Sequence, residues 1–295
     1  MRLKANTSLS FSKFKFFVFI FSLLTSLLCR PGISNAQESL ILGIHPYLPA
    51  TELIDRFTLL ARYLSEKTGQ PVKLEIAKDY KDHIDKIGKD KLDIAFMGPA
   101  SYVKMVSLYG KKPILARLEI SCKPTFRGII IVKKESPLHS LEDLKGKSFA
   151  FADSESTMGH LIPRFVLLEA GVRVEDLASH AFLTNHNSIA LGVLMGNYDA
   201  GAVKEDVFYE YKKRGLKELA STPEISEHVF VTCNSLPTEK VRTLQEALYH
   251  LKDDKKGRKI LSALRDNLTG MVPAVDKDYD SLRIILQGLE KEGVK

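Results

Sequence analysis

From Leu40 onward the apolar positions fall into two alternating patterns. Short β-rich runs, LILGI (40–44), PVKLEIA (71–77) and LDIAFMG (92–98), read as strands. Between them ELIDRFTLLARYLSEKTG carries Leu53, Phe57, Leu60 and Leu64 at helical spacing and stops at Gly69. YKDHIDKIGK (80–89) and PASYVKMVSLYG (99–110) continue the helical pattern. Strands separated by helices of this length imply parallel pairing with right-handed crossovers. Near Pro113 the rhythm changes, because PILARLEIS and GIIIVKK follow one another with only CKPTFR between them. Alternation then resumes through KSFAF, HAFLT, a helix over SIALGVLMGN, the strand YDAGAV and a helix from Lys204. After the strand HVFVTCN (228–234) the chain reads as mostly helical, and this tail is expected to pack back on the first domain. The pattern predicts a discontinuous first domain, an inserted second domain, and crossover strands around 118–126 and 222–233.

The N-terminus changes how the charge is read. Arg2, Lys4, Lys13 and Lys15 precede the 13-residue apolar run Phe16–Leu28, and Ser34-Asn35-Ala36 follows. A basic start, a short apolar run and a small-x-small site describe a secretory signal peptide over 1–36, cleaved after Ala36. The run is short for a membrane span, which needs about 20 residues, and an uncleaved anchor is the competing reading. That segment holds five of the 43 basic residues and none of the 36 acidic ones. The mature chain is therefore close to neutral, and the formal +7 gives no support for nucleic-acid binding.

The remaining 259 residues fit two domains. No P-loop, no G-x-S-x-G elbow and no paired histidine spacing is present, so neither an ATPase, a hydrolase nor a metal site is expected. No cofactor is expected either. Cys122 and Cys233 each sit beside a proposed crossover, and a disulfide tying the hinge is expected if those segments run side by side.

One stretch carries candidate chemistry. FADSESTMGH (151–160) lies between a strand and a helix, where Ser and Thr either cap the helix or cradle an anion. SLEDLKGKSFAF (140–151), LDIAFMGPASYV (92–103), NSIALGVLMGNYDAGAVKEDVF (187–208) and GMVPA (270–274) resemble bacterial extracytoplasmic solute-binding proteins of the phosphonate/phosphite/phosphate branch. The resemblance covers about residues 40–275. It implies an α/β fold of two Rossmann-like lobes joined by two crossover strands, the type II periplasmic binding protein architecture. Lobe one would comprise 37–122 and 228–295, and lobe two 123–227.

The resemblance also implies a function: periplasmic capture of a small phosphorus oxyanion in the interlobe cleft by a monomer. An ABC permease and its ATPase would be separate chains. The alternative is a ligand sensor coupled to a membrane kinase. Ser156, Thr157 and Met158 align with the family's anion-binding run, with Gly159 giving backbone clearance, and His186 aligns with its histidine ligand. Tyr80 is either a cleft aromatic or a half-buried packing residue. Four positions depart from the aminophosphonate-binding members. Phe126 stands for a hinge tyrosine, Met158 for a third hydroxyl, and Asp206 and His228 for the two acids that face an amine. Such a cleft is expected to hold an ammonium group poorly and to suit a P–H bond, a P–CH3 group or a small ester.

Overall fold

A computed structural model describes residues 38–183 and 185–293. The expected signal peptide and its cleavage site lie outside the described residues. The chain runs β1 (Leu40–Ile44), α1 (Ala50–Thr68), β2 (Val72–Ile76), α2 (Tyr80–Gly88), β3 (Ile94–Met97), α3 (Pro99–Tyr109) and β4 (Ile114–Ile120). It then crosses through β5 (Thr125–Phe126) into β6 (Gly128–Lys133), β7 (Ser148–Phe151), α4 (Ile162–Glu169), β8 (Ser179–Phe182), α5 (His186–Met195), β9 (Ala200–Lys204), α6 (Glu205–Lys212) and β10 (Leu216–Ser221). It returns through β11 (Ile225–Ser226) to β12 (Val229–Thr232), α7 (Thr238–Tyr249), α8 (Lys255–Leu264), β13 (Leu268–Val272) and α9 (Asp280–Lys291).

Two sheets result, and with their helices they form the two lobes expected from the alternation. The first sheet has the order β13-β4-β12-β3-β1-β2, and the second β10-β6-β9-β7-β8. Strands linked by helices pair in parallel, β1 with β2 and β3, β7 with β8 and β9. Strands met on re-entry from the other lobe run the opposite way, as β12 does between β3 and β4. Every residue of β3 and β12 is buried, as central strands covered on both faces must be. Helix α1 buries Leu53, Phe57, Leu60 and Leu64 against the first sheet and ends on Gly69 in the left-handed conformation, φ 69°. Burying each such Leu or Phe stabilises by about 1.5–3 kcal/mol. Between the lobes β5 and β11 pair as a two-stranded antiparallel ribbon, Phe126 opposite Ile225.

Three features differ from the sequence expectations. Residues 268–272 form an edge strand antiparallel to β4, although Gly270 and the polar residues around it hide the strand pattern. Helices α7 and α8 pack on the first lobe, but α9 lies between α3 and α4 and so touches both lobes. Its Leu282, Ile285 and Leu289 join a core that also holds Met97 and Tyr102 of lobe one and Met158 and Ile162 of lobe two. Finally, Cys122 and Cys233 are both free thiols, the first exposed and the second buried. The crossover segments do lie side by side, but antiparallel. Cys233 therefore follows the end of β12 near Pro113, whose carbonyl accepts from Thr232 N–H, while Cys122 lies past the far end of β4. At about 3.3 Å per strand residue the two are on the order of 25 Å apart, beyond any disulfide.

Candidate anion-binding site

Four helix starts converge between the lobes: those of α2, α3 and α5, and the turn leading into α4. They enclose a cavity of about 50 Å³, several times the ~10–15 Å³ that one water requires. Each helix start presents backbone N–H groups and the positive end of a dipole. The turn ahead of α4 is the Ser156–Leu161 segment. Ser156 Oγ accepts from Gly159 N–H at 3.1 Å, and Ser156 carbonyl accepts from Leu161 N–H at 3.0 Å, a π-type turn. Thr157 Oγ1 reaches across the cleft and accepts from Ala100 N–H at 3.3 Å. Capping is thus what both hydroxyls do here, and both residues still line the cavity.

Gly159 does not line the cavity but sets its wall. A Cβ there would stand 2.2 Å from Ala152 Cβ and 3.0 Å from His186 Cε1. Met158 is buried, packs with Phe126 in the shared interlobe core, and takes a weak hydrogen bond on sulfur from Thr222 at 3.7 Å. Both lend the cavity apolar wall, as does Tyr80, whose hydroxyl burial pushes its pKa up. His186 opens α5 behind the Asn185 cap. Its Nδ1 is buried without a partner among the described residues, and burial pushes the ring down to about 3, helped by Lys204 nearby.

Asp206 is not brought to the cavity. It lies in the larger adjoining cleft, ion-paired with Arg265, and Arg265 also approaches Glu227 at 3.5 Å. Burial alone would push Asp206 up, but Arg265 and Lys204 outweigh it and leave the carboxyl below its usual range. His228 does line the cavity. Its Nδ1–H donates to the buried Glu227 carboxylate at 2.8 Å. Burial lowers the His228 pKa, and Glu227 only partly offsets that.

Lys204 and His45 were not singled out in the sequence. Lys204, the last residue of β9, lines both the cavity and the adjoining cleft, and its ammonium has no hydrogen bond or ion pair among the described residues. It lies 5.8 Å from the Tyr47 ring centre, and burial followed by the nearby Arg265 lowers its pKa. His45 follows β1 and is 1% exposed. Its Nδ1–H donates to the Phe96 carbonyl at 3.0 Å, and His83 Nε2–H donates to the same oxygen at 3.0 Å. Burial, then His228 and His83, hold His45 well below the usual range.

These buried neutral rings set an acid limit. Burial drives His83 down to about 4 from 6.5, so the unfolded chain takes up a proton that the fold refuses. Stability is therefore complete above the unfolded value and falls as pH drops through the window between the two. Unfolding temperatures at about pH 7 and about pH 4.5 should differ, with His83→Gln flattening the difference. An equally steep loss in that variant would remove His83 as a cause.

Two α/β lobes on a paired hinge, with a small polar cavity at helix starts between them, define a two-lobed binding protein. The chain belongs to the family described as "ABC transporter, phosphonate, periplasmic substrate-binding protein", whose model matches residues 42–279. It is 27% identical to the phosphate-import protein PhnD of Mycolicibacterium smegmatis, over 89% of this chain and 91% of that one. It is 25% identical to a probable phosphite-binding ABC transporter protein, PhnD1, of Prochlorococcus marinus, over 94% and 98%. The fold matches a solved structure of PhnD1 from Prochlorococcus marinus in complex with methylphosphonate, at a TM-score of 0.76 and 24% identity, covering 87% of this chain and all of that one.

Proposed function

We propose that this chain captures a small phosphorus oxyanion of the phosphonate, phosphite or phosphate-ester class in the interlobe cavity and delivers it to a separate permease and ATPase. The observation that carries this reading is the unpaired Lys204 ammonium in a cavity walled by helix starts. An anion there meets an ammonium that no hydrogen bond or ion pair among the described residues holds, with Asp206 and Glu227 near it but bonded to Arg265. Family membership favours delivery to a permease over sensing. Lobe one is taken as 37–122 and 228–295, lobe two as 123–227, and Tyr80, Phe126, Ser156, Thr157, Met158, His186 and His228 as the ligand's surroundings. Export to the periplasm with cleavage after Ala36, and a monomeric mature chain, belong to the same reading.

Binding without catalysis is supported by the hydroxyls. Ser156 Oγ accepts from backbone, and Ser188 Oγ donates to its own helix cap at 3.1 Å, so neither is held against a base. The test is a calorimetric and thermal-shift panel of phosphate, phosphite, methylphosphonate, aminoethylphosphonate and sulfate. A true ligand at a hundredfold over Kd stabilises by about 2.7 kcal/mol. No response to any phosphorus anion overturns the reading. Replacing Ser156 and Thr157 together by Ala should weaken binding about tenfold and cost about 1 kcal/mol of stability through the lost cap.

A further inference from the structure

His45 and His228 meet the cavity in an unusual state for an anion site. The Nδ1 of each is committed as a donor, to the Phe96 carbonyl at 3.0 Å and to the Glu227 carboxylate at 2.8 Å. Both partners only accept, so both Nδ1 atoms carry the proton. The rings stack with centroids 5.7 Å apart and planes 19° from parallel. Their Nε2 atoms have no hydrogen-bond partner among the described residues. They converge beside Gly98, coming within 3.7 and 3.9 Å of the point where a Cβ on that glycine would sit. In neutral rings of this tautomer each Nε2 is a lone pair, an acceptor turned toward the ligand.

Burial favours neutral rings at both positions, against the pull of Glu227 on His228. Lys204 lies near both, with Arg265 on the His228 side and His83 on the His45 side. Tyr47 and Tyr80 complete the His45 surroundings and Phe126 that of His228, all three without charge. Among the described residues Glu227 is the one carboxylate bonded to either ring, and it is shared with Arg265. The positive charges of Lys204 and Arg265 are matched by Glu227 and Asp206, while Asp153 and Glu155 face the cavity rim with only Glu155 paired, to Lys104 at 3.0 Å. A doubly charged ligand would bring two negative charges into a region already balanced, and two lone pairs would face its oxygens.

We propose that the cavity takes its oxyanion with one proton still on it, and that the P–OH donates to the bare Nε2 of His45 or His228. This rests on the reading of the cavity as a phosphorus-oxyanion site. It makes the two histidines a filter against fully ionised tetrahedral anions such as sulfate, which have no O–H to give and would leave both acceptors unpaired.

The test is calorimetry of the mature chain with phosphite, methylphosphonate and sulfate across roughly pH 6 to 9, with burial lowering the pKa of both rings. Affinity should be level below each ligand's own second ionisation and fall about tenfold per pH unit above it, with the midpoint moving from ligand to ligand. Sulfate should bind at least about a hundredfold more weakly. A midpoint common to all ligands, a flat profile, or sulfate binding as tight as phosphite overturns the inference. Absence of binding by every phosphorus anion at every pH overturns instead the site reading beneath it. In the ligand-bound wild-type protein, long-range 15N imidazole spectra should show His45 and His228 as neutral Nδ1–H rings. A doubly protonated ring on either overturns the placement of the proton. Replacing both by Gln supplies amides that can donate, so the double variant should lose the ligand-tracking slope and admit sulfate; an unchanged profile would remove these two residues from the filter.

Discussion

Lys204→Met is expected to weaken oxyanion binding by about two orders of magnitude, roughly 3 kcal/mol, while leaving the empty protein at least as stable as the wild type. The two halves of this result have one cause. Lys204 sits at the end of a strand whose preceding residues are all buried, and its ammonium has no ion pair among the described residues. In the empty protein the desolvation cost of this charge is offset only by attraction to Asp206 and Glu227, both bonded to Arg265, so a methionine of similar length relieves more than it loses. With a ligand bound the same charge becomes the partner of a buried anion, and removing it leaves that anion uncompensated. A purely structural lysine gives the opposite pattern, with stability lost and affinity little changed. Measuring the unfolding temperature without ligand and Kd with phosphite or methylphosphonate separates the two. Affinity within about threefold of wild type would show that the anion does not sit against Lys204.

The contrast between Lys204 and Asp206 shows what the sequence could and could not yield. Ser156, Thr157 and Gly159 were legible because helix-start chemistry is local: a hydroxyl run between strand and helix signals itself within a few residues. His45 and Lys204 have no such local signal. Each is a single polar residue at the C-terminal end of an apolar run, LILGI and AGAV. A rule was available, that ligands of α/β sheets collect at the carboxyl ends of strands. It would have picked out His45 after β1, Tyr80 after β2, Gly98 after β3 and Lys204 ending β9. Asp206 is the converse case. Its place in the first turn of α6 suited a ligand, but its carboxylate is taken by Arg265, 59 residues further along the chain. Long-range charge pairing of that kind leaves no periodic trace. The disulfide expectation failed for a related reason, since proximity of two segments was legible but their antiparallel direction was not.

Two glycine substitutions should divide the wall of the cavity from its interior. Gly98→Ala places a methyl 3.7 Å from His45 Nε2 and 3.9 Å from His228 Nε2, ordinary contact distances, at a φ of −68° that alanine adopts freely. Folding should therefore cost only the weaker cap at the start of α3, about 0.5–1 kcal/mol. The methyl, however, stands in the cavity between the two ring nitrogens, where a ligand atom would be. Overpacking a filled site costs about 1–3 kcal/mol, so affinity should fall roughly ten- to a hundredfold with little change in the empty protein's unfolding temperature. Gly159→Ala puts its methyl 2.2 Å from Ala152 Cβ and 2.9 Å from Ser156 Oγ. No rotation of a methyl relieves that, so the turn must move away from β7 and take the Ser156 cap with it. Its loss should appear first in the unfolding temperature, by about 2–3 kcal/mol of stability, and in affinity as a consequence. Matched thermal melts and calorimetric titrations of both variants check the pair. A Gly98→Ala protein that binds as tightly as wild type would place the anion elsewhere than between His45 and His228.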